Sequence, residues 1–209
     1  IARLKSSFFT PNSLEKTIRL IRKIHGAKIM VDLEGSEIRL YGKKKKKILK
    51  GKGIWIGFSP VQAGFFFNHD FFEQIKVGDV LIYDKGNEKI AVKKKDFRLK
   101  KIFLVPKKTI VLESGKGFNA GKKTLVQGKL SKKDLELIPI INKCKVEIAA
   151  LSFTQSEKDV KLLRRLVSRK TKICAKIENH AGLKNLEKIT KAADMVVVAR
   201  GDLTAEFSQ

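Results

Sequence analysis

From about Leu40 to Leu125 the chain carries no helical periodicity of useful length, while on both sides of that stretch apolar strands alternate with amphipathic helices. A fold for this chain has to interrupt one βα rhythm with a separate β structure. Before the interruption, Ile1–Leu4 reads as the tail of a strand. Ser13–Lys23 reads as a helix capped by Asn12 or Ser13, and Lys28–Leu33 as a strand. Inside it, Ile54–Phe58, Val80–Tyr83, Lys89–Val92, Ile102–Val105 and Thr109–Leu112 are short β-rich runs separated by Gly and Lys/Asp turns. Phe65–Phe67 with Phe71 and Phe72 are its expected core, or the place where it docks, in preference to an aromatic stacking platform for bases, and Trp55 is assigned to the core rather than to a ligand platform. Afterwards the rhythm resumes: Lys132–Ile141 is a helix blemished by Pro139, Val146–Phe153 a strand, and Glu157–Arg169 a helix. Thr171–Ile177 is a strand, Gly182–Ala193 a helix, and Met195–Ala199 a buried strand. This pattern predicts an α/β fold, an incomplete TIM (β/α)8-type barrel, rather than a doubly wound sheet. The expected division is 1–40 and 126–209 for the barrel and 41–125 for an inserted small all-β barrel.

Alternation along Thr171–Ile177 turns Cys174, Lys176 and Glu178 to one side and Ile173, Ala175 and Ile177 to the other. One strand–helix unit later come Gly201 and Asp202. A lysine and two carboxylates thus gather at the C-terminal ends of neighbouring strands, where parallel α/β folds build their sites. Mg²⁺ takes one or two protein carboxylates plus water and substrate oxygens, which suits Glu178 and Asp202. Lys176 is a point charge able to stabilise an enolate or a phosphoryl group. A buried Lys–Glu pair that ties strands together is the structural alternative.

The net charge of +25 comes from 46 Lys and Arg against 21 Asp and Glu. The excess is mostly lysine spread along the chain, not arginine clustered with aromatics, and no nucleic-acid motif is present, so nucleic acid is not the expected partner. The densest run is Lys43–Lys47, with a smaller one at Lys93–Lys95. A solvated lysine-rich surface, or attraction of polyanionic small substrates, accounts for the balance. No apolar run approaches the roughly 18 residues of a membrane span. Cys144 and Cys174 lie in core-like segments and point to a reducing compartment without a disulfide framework. His25 and His69 lack metal-ligand spacing, and His180 is assigned to packing beside the site.

Six stretches in order resemble pyruvate kinase. Ala2-Arg3-Leu4 with Ser7 is similar to that family's second barrel strand, and Val31–Arg39 to its third. Val77-Gly78-Asp79 through Gly86, and Lys116–Asn119, are similar to landmarks of its β lid. Leu151–Phe153 with Asp159-Val160, Ala175–His180 and Val198–Leu203 are similar to strands four, five and six. The resemblance implies phosphoryl transfer between phosphoenolpyruvate and ADP, giving pyruvate and ATP. It makes Lys176 the catalytic cation and Glu178 and Asp202 the ligands of Mg²⁺ or Mn²⁺. Arg3, Ser152 and the segment Ala199, Arg200 and Gly201 would bind substrate. Arg39 and Lys116 would lie towards the nucleotide. It further implies a cytoplasmic homotetramer for the full-length protein.

The family's monovalent-cation pocket falls on Lys5, Ser7, Asp32 and Leu33. Lys5 and Leu33 replace family ligands, which argues against K⁺: the Lys5 ammonium would sit where K⁺ would and neutralise Asp32, the alternatives being that Lys5 points to solvent or that the pocket has decayed. Phe8 and Phe9 replace a His-Gly pair, Thr204 a glycine, and Lys85 an aspartate; the turn that follows Asn119 in the family is lost. Strands one, seven and eight have no counterpart here, so the chain is expected to be a piece of a longer protein. The competing readings are a catalytically degenerate or regulatory relative whose basic surface binds polyanions, and a metal-dependent lyase of the wider phosphoenolpyruvate/pyruvate barrel group.

Overall fold

The computed structural model describes residues 1–24, 26–42, 45–60, 64–84, 88–120, 125, 130–201 and 203. In chain order, β1 (Ala2–Lys5) leads through a 3-10 turn at Ser6–Phe8 to α1 (Pro11–Ile21) and β2 (Ile29–Leu33). Nine short strands follow: β3 (Ile38–Gly42), β4 (Lys46–Ile48), β5 (Ile54–Gly57), β6 (Phe65–Phe67), β7 (Val80–Tyr83), β8 (Glu88–Asp96), β9 (Lys101–Pro106), β10 (Ile110–Leu112) and β11 (Gly117–Asn119). Then come α2 (Lys132–Lys143), β12 (Ile148–Leu151), α3 (Glu157–Leu166), β13 (Lys172–Ile177), α4 (His180–Lys184), α5 (Leu186–Ala192) and β14 (Met195–Val198). The chain divides into two compact units, Ile1–Ser36 with Gly128–Leu203, and Glu37–Gln127.

The first unit is a five-stranded sheet in the order β1-β2-β12-β13-β14, with every neighbouring pair parallel. It is an open sheet among the described residues, with the strand–helix alternation of a (β/α) barrel but not its closure. Alternate residues on each strand divide between two faces. Val31, Leu33, Ala149, Leu151, Ile173, Ala175 and Ile177 pack with Leu14 and Ile18 of α1, Leu137 and Ile141 of α2, and Val160 and Leu163 of α3. The opposite face carries a smaller apolar layer of Ile148, Ala150 and Cys174, flanked by Met30 and Met195. Burial pushes the thiols of Cys174 and Cys144 up, and both are free.

Three sequence expectations are corrected here. Helix α1 begins two residues before Ser13, because Thr10 caps it: the Thr10 hydroxyl accepts from Ser13 N at 3.2 Å, the Ser13 hydroxyl accepts from Thr10 N at 2.9 Å, and Pro11 opens the first turn. The helix expected over Gly182–Ala193 is two helices broken at Asn185. The Asn185 amide donates to Gln155 O at 2.9 Å, which holds the break in place. Strand β14 is not buried: it is the end strand of the sheet, and Val197 and Val198 are half exposed.

The second unit is a closed barrel in the order β11-β3-β6-β5-β9-β8-β7, beside the two-stranded pair β4–β10. Phe67, Phe71, Phe72 and Phe118 are fully buried inside it, with the Phe118 ring edge-on to Phe67 at 5.1 Å. The aromatic core expected from the sequence is present, except that Phe66 faces outwards. Trp55 is corrected as well: on β5 it alternates with the buried Ile56 and is 38% exposed. Among the described residues no helix is long and apolar enough to cross a membrane.

Candidate active site

The polar residues of the first unit cluster on three adjacent strands. Asp32 on β2 lies in register with Ala150 on β12, and Ala150 with Cys174 on β13. Lys176 stands two residues further along β13, on the same face as Cys174. Ala150 places only a methyl group in the row, so the Lys176 side chain can reach back across β12. Its Nζ sits 3.0 Å from Glu178 Oε1, 3.3 Å from Asp32 Oδ1 and 2.9 Å from the Ser152 hydroxyl. The Ser152 hydroxyl lies 3.1 Å from Asp32 Oδ1, and the Arg3 guanidinium closes on Asp32 Oδ2 from β1, its Nε donating at 2.9 Å.

Asp32 and Glu178 are each 2% exposed. Burying carboxylates at that depth is costly unless cations and N–H donors face them. Asp32 has Arg3 and Lys176. Glu178 has Lys176 and a backbone donor, the Phe153 N–H, which reaches Oε2 at 2.8 Å. Phe153 takes a left-handed backbone, φ 50°, to aim that N–H. A non-glycine residue in this region marks a constrained turn. Burial pushes the Lys176 pKa down, but Glu178 and Asp32 more than offset it and raise it above the ordinary lysine value. The ammonium therefore stays charged at neutral pH.

The loop after β2 is fixed from behind. Asp134 on α2 is fully buried; its Oδ1 accepts from Glu34 N at 2.9 Å, and its Oδ2 from Gly35 N at 2.8 Å and Ser131 N at 3.1 Å. Gly35 has φ +56°, and a Cβ there would lie 2.1 Å from Ser152 O. Only glycine permits both that backbone and that approach. Burial pushes the Asp134 pKa up to about 6, against the three N–H groups that lower it. Sequence reasoning missed Asp134. Its signal was the Ser131-to-Asp134 spacing, a capping box that the structure shows formed at the start of α2.

The structure therefore brings Arg3, Asp32, Ser152, Lys176 and Glu178 together. Lys5 pairs with Asp32 in the β1–β2 register. Arg3 and Lys176 both form ion pairs with Asp32. Ser7, the other residue assigned to the cation pocket, has a buried hydroxyl without a hydrogen-bond partner among the described residues. Ala199 N donates to Ile177 O at 3.1 Å, and Arg200 and Gly201 are exposed just beyond. Asp202, the second expected metal ligand, lies outside the described residues, as do Thr204, Lys85, Gly86 and His25. Arg39 and Lys116 belong to the second unit. The Arg39 guanidinium is buried against Gly115 O and Glu37, while Lys116 Nζ is 3.1 Å from both Asp84 oxygens.

Among the described residues no three His, Cys, Asp or Glu side chains gather as a metal cage. The two buried carboxylates that meet Lys176, Asp32 and Glu178, offer hard oxygens, which suit Mg²⁺ with its shell of waters and substrate oxygens better than zinc.

A family model described as "pyruvate kinase, barrel domain" matches residues 1–209. The chain is 32% identical to a pyruvate kinase of Methanocaldococcus jannaschii over 98% of its own length and 44% of that protein. It is 31% identical to a pyruvate kinase of Aeropyrum pernix, over 94% of this chain and 44% of that protein. A pyruvate kinase of Mycoplasma genitalium is 29% identical over 99% of this chain and 45% of its own length. The chain spans under half the length of these curated relatives.

Proposed function

Because this chain belongs to the pyruvate kinase family, we propose that it carries the phosphoryl-transfer site of a protein that moves phosphate between phosphoenolpyruvate and ADP, giving pyruvate and ATP. The observation that supports this best is the position of Lys176, cationic and held between Asp32, Glu178 and Ser152. Phosphoryl transfer asks little covalent chemistry of a protein; positioning and charge stabilisation do most of the work. Lys176 supplies a fixed positive charge where negative charge develops on the enolate oxygen or the phosphoryl group in flight. Asp32 and Ser152 hold that ammonium in place before substrate arrives.

Glu178, with Asp202, would hold Mg²⁺ or Mn²⁺. The ion, when bound, supplies positive charge to the carboxylate, carbonyl and phosphoryl oxygens of the substrates. Arg3, more than half exposed beyond Asp32, contacts phosphate. Ser152 and the backbone at Ala199, Arg200 and Gly201 receive the substrate carboxylate. Arg39 and Lys116 serve the nucleotide. With Arg3 and Lys176 already on Asp32, and Lys5 opposite it in register, the reaction needs no K⁺. The full-length protein is a cytoplasmic homotetramer acting in glycolysis.

The test is a coupled assay on the full-length protein with phosphoenolpyruvate, ADP and Mg²⁺. Turnover is expected at equal rates with and without K⁺, and Lys176→Met abolishes it. Activity that survives Lys176→Met would refute the assignment of the catalytic cation. Strict K⁺ dependence would refute the role given to the cations around Asp32.

A further inference from the structure

The second unit places aromatic rings and lysines together on the outside of its barrel, although they are scattered along the sequence. In the order β3-β6-β5-β9, Tyr41 pairs with Phe66, Phe66 with Gly57, and Trp55 with Phe103. All four aromatic residues alternate with buried core positions, so their rings stand on the outer face. Tyr41 and Phe66 stack at 6.0 Å with planes 26° apart, and Trp55 and Phe103 lie 5.1 Å apart. Gly53 makes room for this second pair: a Cβ there would fall 2.1 Å from the Phe103 ring. A groove beside that pair is lined by Gly53, Ile54, Trp55, Phe103, Lys45 and Lys46.

The surrounding charge is positive. Lys94 faces outwards opposite Phe103, and Lys101 opposite Gly57. Lys45 forms an ion pair with Glu113 at 2.8 Å. Among the described residues Lys46, Lys94 and Lys101 form no ion pair. Residues 37–127 carry 22 Lys and Arg against 8 Asp and Glu, so the field around this face favours a polyanion. A simple polyanion would not need the aromatic row, and a neutral apolar partner would not need the lysines. Single-stranded nucleic acid uses both: bases stack on rings, and phosphates meet lysines along the strand.

We propose that the outer face of β3, β6, β5 and β9 binds single-stranded nucleic acid, with a base stacked on Trp55 and Phe103 and phosphates on Lys45, Lys46, Lys94 and Lys101. The binding is tolerant of sequence and is separate from the phosphoryl-transfer reading, because it uses none of the residues assigned there.

Trp55 is the only tryptophan in the chain, so its emission reports this face alone. The intact chain is titrated at low salt with a 20-residue thymidine oligomer, the same-length uridine oligomer, and heparin as a polyanion without bases. Both oligomers are expected to quench Trp55 saturably, and heparin to bind without quenching. Affinity should fall as salt rises, by about 0.7 in log K per log salt for each phosphate neutralised. Loss of one stacked base predicts a drop of roughly tenfold or more in Trp55→Ala, measured by anisotropy of a labelled oligomer. Lys46→Glu with Lys94→Glu should weaken binding and flatten the salt slope. Quenching in the unaltered chain does not depend on any variant folding. No binding, binding without quenching, or equal quenching by heparin would each overturn the proposal, as would capture of a protein partner through this face with no nucleic-acid binding.

Discussion

Asp134 gives the sharpest test of how the first unit balances burial against hydrogen bonding. Its carboxyl is fully buried and takes three backbone N–H bonds, which favour the ionised form. Burial opposes ionisation and is the larger effect, with the nearby Glu34 adding to it, so the pKa rises from 3.8 to about 6. A carboxyl whose folded pKa is raised binds its proton more tightly in the folded state. Its favourable contribution is therefore complete below the unfolded pKa and is lost as pH rises through the folded one. A shift of about two units is worth roughly 3 kcal/mol, at about 1.4 kcal/mol per unit.

The perturbation is Asp134→Asn, which removes the titration. It also replaces one acceptor oxygen with a donor, so the variant carries a constant penalty, and the slope with pH is the informative quantity. All five α-helices of the described chain lie in the first unit, while Trp55 lies in the second. Urea unfolding followed by helical circular dichroism thus reads the unit of interest, and tryptophan emission serves as the control. From pH 4 to pH 8 the unsubstituted chain should lose about 2.5 kcal/mol relative to Asp134→Asn, because part of the ~3 kcal/mol is already lost at pH 4, with most of the change below pH 6. A chain that instead gains on the variant as pH rises would mean that the three N–H bonds outweigh burial, and the reasoning would be refuted.

Gly35→Ala should destabilise the first unit by at least ~2 kcal/mol in the same urea experiment, since a left-handed backbone and a contact with Ser152 O both oppose a methyl group. A change within error would show that the β2 loop yields easily. Lys176→Met leaves Asp32 and Glu178 buried with one cation fewer, which predicts a loss of about 3–5 kcal/mol at pH 8. Thermal melts of the two proteins decide it, and an unchanged melting temperature would exclude the electrostatic cause.

Much of the fold was legible because period-2 and period-3.6 patterns report burial directly. The face division of β13, with Cys174 and Lys176 opposite Ile173, Ala175 and Ile177, follows from counting alone. The β character of the insert followed from its short apolar runs separated by Gly and Lys/Asp turns. Failures arose where a side chain competes with the periodic signal. Asn185 breaks a well-patterned helix by donating to Gln155 O, and Thr10 captures the first turn ahead of Asn12. At the site, the types and faces of Lys176 and Glu178 were readable. Their partners were not, because Asp32, Ser152 and the Phe153 N–H arrive from other strands. Register across β2, β12 and β13 is a long-range property that one strand's pattern does not contain.

That same limit bears on the charge of the chain. The +25 total hides two opposite uses of lysine. In the first unit Arg3 and Lys176 face Asp32 and Glu178, two cations against two buried carboxylates, and the cluster is close to neutral. On the outer face of the barrel, Lys46, Lys94 and Lys101 stand beside aromatic rings with no carboxylate paired to them among the described residues. Screening separates the two cases. At 0.1 M salt, exposed charges more than about 10 Å apart barely feel one another, whereas buried pairs are little affected. Raising salt should therefore weaken whatever binds the barrel face and leave the Lys176 cluster intact. Composition supplied the total charge but not this division, which is set by which lysines fold against a carboxylate.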